Sequence, residues 1–196
     1  MQVIPQQEGV PVADVVEAAK AALDGRCLVF VGLMGAGKSV IGRLTANLLG
    51  LSFVDSDHEI ERVSRMTISE LFELYGEDEF RSLEARVIAR LMRSEPQVLS
   101  TGGGAFINAG TRDLIKKEAV SVWLRADIDV LWERVRKRNS RPLLKTADPR
   151  QTLQTLMDHR YPIYAEADLV VQSRDVRRET VADEVVEAVA ELKRRT

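Results

Sequence analysis

A chain of 196 residues, 45% hydrophobic and 30% charged with a formal net charge of -2 at pH 7, has the composition of one soluble globular domain. The balance of charge excludes a bulk basic surface for nucleic acid, so any attraction for anions has to be local. No apolar run approaches the ~20 residues that span a bilayer, and the first residues lack the basic start and apolar core of a secretory signal, so a cytoplasmic protein without membrane association is expected.

In chain order, residues 1–11 carry Pro, Gln and Gly without periodicity, and 12–23 shows an amphipathic, Ala-rich pattern. Residues 1–25 are therefore expected to form an extension with a short helix, ahead of a domain over 26–196. Glu8, Asp14 and Glu17 are acidic and no arginine precedes Arg26, which argues against an organelle address. The lone cysteine, Cys27, opens the apolar run Cys27-Leu28-Val29-Phe30-Val31 and reads as a buried strand residue, not a nucleophile. Strand-like runs at 28–31, 53–54, 98–99, 120–124 and 169–171 alternate with helical patterns at 40–49, 112–117, 130–138 and 180–193. This alternation predicts an α/β fold in three layers, a five-stranded parallel sheet flanked by helices. Thr67 followed by Glu70 reads as a capping box that opens a long helix, with a break expected at Gly76.

The strongest chemical signal is Gly32-Leu33-Met34-Gly35-Ala36-Gly37-Lys38-Ser39, which has the spacing of a phosphate-binding loop and lies between a predicted strand and a predicted helix. Glycines let the backbone wrap phosphates with its N–H groups turned inward, and the following helix adds its positive end. Lys38 is then expected to reach the β and γ phosphates of ATP, and Ser39 to ligate Mg²⁺. The loop alone does not name an acceptor, because hydrolases, switches and metabolite kinases all use it.

Other segments bear on the acceptor. Asp55 and Asp57 stand at the carboxyl end of the second strand, where open parallel sheets bind ligands, although the same residues suit a turn or a helix cap. Arg81 and Glu84 share a helix face at i and i+3, an arrangement that orients a guanidinium but is also common on solvated surfaces. Gly102, Gly103 and Gly104 at the end of the third strand let a substrate lie against bare backbone, or simply form a turn. From Arg141-Pro142-Leu143-Leu144 to Asp148 the helical pattern lapses, as it does in a mobile lid or an ordinary surface loop.

Together these residues resemble the shikimate kinase family, from about Leu28 to the C-terminus and in the family's order. The landmarks are the phosphate loop with Ile41-Gly42-Arg43 after it, Asp55-Ser56-Asp57, Glu79-Phe80-Arg81 with Glu84, Gly102 to Gly104, Arg141-Pro142-Leu143-Leu144, and Arg160-Tyr161-Pro162-Ile163-Tyr164. The resemblance implies a P-loop kinase fold with a mobile lid at about 140–150, using ATP and Mg²⁺ to phosphorylate shikimate, and acting as a monomer. It further implies that Gly35, Ala36, Gly37, Lys38, Ser39, Val40 and Arg141 meet the nucleotide. Asp57, Arg81, Gly103 and Arg160 would hold shikimate, and Lys38, Asp57 and Arg141 would serve the transfer. Ser39 would bind the metal directly and Asp55 through water, while Phe72 and Phe80 would wall the ring, unless they are core residues.

The chain departs from the family at Val40, where a hydroxyl residue is frequent. Among Arg134, Arg136, Lys137 and Arg138 the adenine-stacking arginine is ambiguous, and Arg136 is the expected choice. The opposite adenine wall is expected near Arg174-Asp175-Val176. His58 and His159 match no functional position and are expected to be bystanders. The competing readings are a gluconate or nucleoside monophosphate kinase on the same fold, or a relative that binds nucleotide without catalysis. A nucleic-acid-stimulated ATPase lacks the basic track it needs.

Overall fold

The structure is a computed structural model, and it describes residues 12–136, 142–144 and 146–192. Five parallel strands form one sheet in the order β2-β3-β1-β4-β5. They are β1 (Cys27–Val31), β2 (Ser52–Asp55), β3 (Gln97–Ser100), β4 (Ala119–Arg125) and β5 (Leu169–Gln172). Every residue of β1 and β3 is buried, as parallel strands covered on both faces require; β1 is accordingly a continuous apolar run, and β3 has an apolar centre between Gln97 and Ser100. Cys27 lies in β1 at 4% exposure, in keeping with its reading as a strand residue. Phe30 pairs with Ser100 on one side of β1 and with Val122 on the other, so β1 is the centre of the sheet.

The helices are α1 (Val12–Leu23), α2 (Lys38–Leu49), α3 (Ser56–Ser64), α4 (Ile68–Met92), α5 (Ala109–Glu118), α6 (Ile128–Val135), α7 (Pro149–Tyr164) and α8 (Arg178–Ala190). α1 and α2 pack against α8, and α3 and α5 against α4. Ala19, Ala22 and Leu23 of α1 are buried, which places the N-terminal helix on the domain. Burial of a large apolar side chain is worth about 1.5–3 kcal/mol relative to exposure, so the sheet and these contacts dominate the stability.

Helix ends follow local chemistry. The capping box at α4 is formed: Glu70 N–H donates to Thr67 Oγ1 at 3.2 Å, and Thr67 N–H to Glu70 Oε2 at 2.7 Å. The break at Gly76 is also present, with φ 82° and ψ 174° inside α4. α6 ends at Val135 and is capped at Arg136, short of the expected 138.

Two helices escaped the sequence reading. α3 begins at the Asp-Ser-Asp turn, where Asp55 Oδ1 accepts from Asp57 N–H at 3.1 Å, so Asp55 is a helix cap. α7 is capped by Asp148, which accepts from Gln151 N–H at 3.0 Å, with Pro149 in its first turn. Pro162 inside α7 disguised it, because proline removes a helical donor.

Candidate active site

The chain leaves β1 through Gly32 and Gly35, both with positive φ. A Cβ at Gly32 would stand 2.8 Å from Leu124 O, and one at Gly35 2.8 Å from Val135 Cγ1, so the loop is compressed against β4 and α6. Lys38 starts α2 and is 9% exposed, and its Nζ donates to Gly32 O at 2.8 Å and Leu33 O at 3.0 Å. Those two bonds hold the ammonium over the mouth of the loop. Ser39 Oγ donates to Asp55 Oδ2 at 2.6 Å and lies 3.4 Å from Ser100 Oγ, which gathers three oxygen-bearing side chains beside the loop.

A cavity of about 480 Å³ opens in front of the loop. Gly35, Gly37, Lys38, Ser39 and Val40 line it, with Asp55 and Asp57 on one side and Arg134, Arg174 and Val176 on the other. Ala36 is buried behind this wall, its N–H bonded to Leu33 O at 3.2 Å. Of the basic cluster after 133, Arg134 faces the cavity. Its guanidinium donates to Gly35 O at 3.2 Å, Ser173 Oγ at 2.9 Å and Arg174 O at 2.9 Å. Arg136 instead pairs with Glu133 at 2.7 Å and is exposed, so it is Arg134, and not the expected Arg136, that lines the cavity. Helix phase decides this, because Leu131 and Val135 are the buried residues of α6 and Arg136 follows onto the outer face.

A second cavity of about 80 Å³ shares Met34, Asp57, Gly102 and Gly103 with the first. It is walled by Phe72, Phe80, Arg81, Glu84, Leu143 and Arg160. The Arg81 guanidinium donates to Glu84 at 2.7 Å and to Glu77 at 3.0 Å, and sits 5.0 Å from the Phe80 ring. Burial works against the charge on Arg81, but Glu84 and Glu77 outweigh it and raise its pKa. Burial also pushes the Glu84 carboxyl above its ordinary range, with Arg81 opposing and Asp57 adding to the rise. Glu84 is 2% exposed, and its Oε1 finds no hydrogen-bond partner among the described residues. An acceptor atom this deeply buried is costly unless something donates to it.

The glycine run makes this arrangement sterically feasible. A Cβ on Gly102 would fall 2.5 Å from Glu84 Oε1 and 2.7 Å from Asp57 Oδ1, and one on Gly104 would fall 2.3 Å from the Arg81 guanidinium carbon. At Gly103 the nearest atoms stand at 3.5 Å, an ordinary contact. Gly102 N–H donates to Ser56 Oγ at 3.2 Å, tying the run to α3. Gly103 O accepts from Arg160 Nη1 at 3.2 Å and from the Tyr164 hydroxyl. Tyr164 is fully buried, and burial pushes its phenol up to about 12, so it remains a proton donor at every physiological pH.

The structure thus gathers Lys38, Ser39, Asp55, Asp57, Arg81, Gly103 and Arg160 around two joined cavities. Arg141 lies outside the described residues. His58 and His159 are exposed and line neither cavity. The sequence reading held Arg134 only as an alternative to Arg136, and gave no role to Ser56, the inward oxygen of Glu84 or Tyr164. Arg134 was accessible from the helical phase of α6, whereas the others are visible only once the segments meet.

Residues 34–190 match the family model described as shikimate kinase. The chain is 65% identical over 179 residues to the shikimate kinase of Rhizobium meliloti (strain 1021), covering 91% of this chain and 93% of that one. It is 57% identical over 179 residues to that of Mesorhizobium japonicum, covering 91% and 88%. Among solved structures, the shikimate kinase of Acinetobacter baumannii in complex with shikimate superposes with a TM-score of 0.85 at 36% identity, covering 89% of this chain and 98% of that one.

Proposed function

The chain belongs to the shikimate kinase family, and we propose that its larger cavity receives ATP and its smaller cavity shikimate. The enzyme moves the γ-phosphoryl group of ATP to a hydroxyl of shikimate, giving shikimate 3-phosphate and ADP, in the route to chorismate and the aromatic amino acids. The observation that carries the assignment of the subsites is Arg81, seated over Gly104 against Glu84 and Phe80 in a cavity that opens onto Asp57 and the phosphate loop.

Arg81 and Arg160 pair with the carboxylate of shikimate, because two guanidinium groups on one wall supply the forked donors a carboxylate accepts. Asp57 and the unpartnered Glu84 Oε1 accept from the ring hydroxyls, the latter gaining the donor its burial demands. Phe72 and Phe80 cover the ring and Gly103 lies against it. Asp57, present in both cavities, takes the proton of the attacking hydroxyl. Lys38 exchanges its bonds to Gly32 O and Leu33 O for the β and γ phosphates, and the backbone of Gly35, Ala36 and Gly37 with Val40 lies along the phosphate chain. Arg134, opposite Val176, bounds the base end.

The oxygen set of Ser39 and Asp55 fits Mg²⁺, a small hard ion that keeps several waters and takes few protein ligands. Ser39 would hold it directly and Asp55 through water, and the ion would neutralise charge on the β and γ phosphates. Arg141 adds a cation from the segment at about 140–150, which closes over the phosphates and excludes water. Leu143 of that segment already lines the shikimate cavity. The reading carries with it a cytoplasmic monomer that engages neither nucleic acid nor membrane, and no helix among the described residues is long and apolar enough to cross one.

The test is ADP release from Mg-ATP in a coupled assay, with shikimate, gluconate, AMP and no acceptor in parallel. Stimulation by shikimate alone is the expected outcome. Stimulation by gluconate or AMP instead would reassign the smaller cavity, and ATP binding without stimulation would indicate a relative that has lost catalysis.

A further inference from the structure

The buried side chains include a phenol that the reaction does not touch. Tyr164 closes α7 and is the largest fully buried side chain among the described residues. Its ring packs beside Trp123, with centroids 6.0 Å apart, and beside Tyr161 at 6.3 Å. Packing accounts for the ring but not for the hydroxyl, which is aimed at Gly103 O. It lines neither cavity.

Gly103 is the member of the glycine run that lines both cavities and has ordinary room around it. Its peptide links lack the side chain that normally restrains rotation, so the carbonyl and the amide beyond it are free to flip unless something holds them. All peptide links described here are trans. In a planar trans link the C=O of Gly103 and the N–H of Gly104 point in opposite directions, so a donor that fixes one aims the other. Among the described residues neither the Gly103 nor the Gly104 N–H has a hydrogen-bond partner, whereas Gly102 N–H is taken by Ser56 and Ala105 N–H by Gly102 O. Arg160 also donates to Gly103 O, but at 3.2 Å and from the shikimate cavity, where its guanidinium has a second task.

We propose that Tyr164 is a positioning residue for the acceptor: its hydroxyl anchors the Gly103 carbonyl from behind, which keeps the Gly103–Gly104 amides turned toward shikimate while Arg160 engages the carboxylate. This rests on the assignment of the smaller cavity to shikimate. Tyr164 itself lines neither cavity and reaches them through Gly103.

Tyr164→Phe keeps the ring and removes only the donor. The expected result is a KM for shikimate raised about tenfold, the loss of roughly one hydrogen bond's worth of binding, with the KM for ATP changed less than about twofold and the melting temperature nearly kept. Amide exchange at Gly103 and Gly104, followed by ¹⁵N NMR without substrate, is expected to quicken in the same variant. An unchanged KM for shikimate, or a rise shared equally by both substrates, would overturn the proposal and leave Tyr164 a packing residue. Unaltered amide exchange would overturn it as well, even in a variant too unstable for kinetics. Arg81→Ala is measured alongside. If that variant keeps its KM for shikimate, the cavity assignment itself is wrong; if it loses affinity while Tyr164→Phe does not, only the positioning role is wrong.

Discussion

The two halves of the active site are built on opposite principles. The phosphate half is one continuous stretch, Gly32 to Ser39, whose contacts are backbone groups and whose shape follows from glycines pressed against β4 and α6. The proposed shikimate half is assembled from the start of α3, the middle of α4, the turn after β3 and the end of α7, and is held by ion pairs and by the space that two missing side chains leave. A contiguous site carries its contact groups in one segment and draws on the rest of the chain only for its floor at Leu124 and Val135. A dispersed one fails wherever any single segment is displaced.

Substitutions that split the two halves test this contrast. The largest effect is expected for Asp57→Asn, which removes the proposed proton acceptor while leaving the loop intact. Shikimate turnover should fall by about 10³-fold, within the range for loss of a general base, with ATP binding by calorimetry nearly unchanged. Loss of ATP affinity as well would mean that the halves are not separable.

Next in size, Gly104→Ala drives a methyl into the Arg81 guanidinium, at 2.3 to 2.4 Å from three of its atoms. The KM for shikimate should rise by one to two orders of magnitude, as when a charge-assisted contact of about 1.5–3 kcal/mol is lost. Gly103→Ala, with its nearest neighbours at 3.5 Å, should raise that KM less than about threefold by sterics alone. Equal effects at the two positions would show that backbone freedom, not space for Arg81, is what the run provides.

On the phosphate side the expected changes are smaller. Val40 is 39% exposed and lines the nucleotide cavity. Val40→Thr supplies a hydroxyl there, worth about 0.5–1 kcal/mol, and should lower the KM for ATP two- to fourfold without moving that for shikimate.

The smallest effect concerns the joint between α3, which carries Asp57, and α4, which carries Arg81. Glu59 bonds both Arg62 and Arg90, and these hydrogen bonds hold its carboxyl at about 2. Because the folded value lies below the unfolded one of 4.5, this contribution is complete above about pH 4.5 and is lost as the pH falls toward 2. Glu59→Gln should lower the melting temperature by roughly 2 °C at pH 7, since both arginines are largely exposed and screened. The gap between variant and parent should close as the pH falls from 5 to 2.

The same contrast governs how much could be read before the fold was known. All five strands were legible: β1, β3 and β4 because strands buried on both faces carry apolar runs, and the edge strands β2 and β5 because short apolar stretches stand between polar segments. The phosphate loop was legible because its chemistry and its spacing coincide in one segment. For the shikimate half, periodicity offered only pairs with ordinary alternatives, and it was the order of landmarks shared with a known family that joined them. What neither route supplied depends on side-chain direction in three dimensions. Examples are the choice of Arg134 over Arg136, the Glu84 oxygen facing Asp57, and the phenol of Tyr164 behind Gly103. α3 was missed because its short polar sequence buries only Ser56 and Ile60, and α7 because Pro162 mimics a stop.

The central place of β1 also has a consequence in time. The strand that launches the phosphate loop is made early in synthesis, yet both of its neighbours, β3 and β4, follow much later in the chain. The loop is seated against Leu124 of β4 and Val135 of α6, which is later still. Pairings between distant segments form slowly, since their loop-closure entropy must be overcome before the contacts reward it. A nascent chain ending before β4 therefore carries the whole nucleotide-binding motif without the floor it rests on. The appearance of ATP affinity in a refolding or ribosome-bound chain is expected to mark the docking of β4 and α6 beneath the loop, not the local folding of the motif itself.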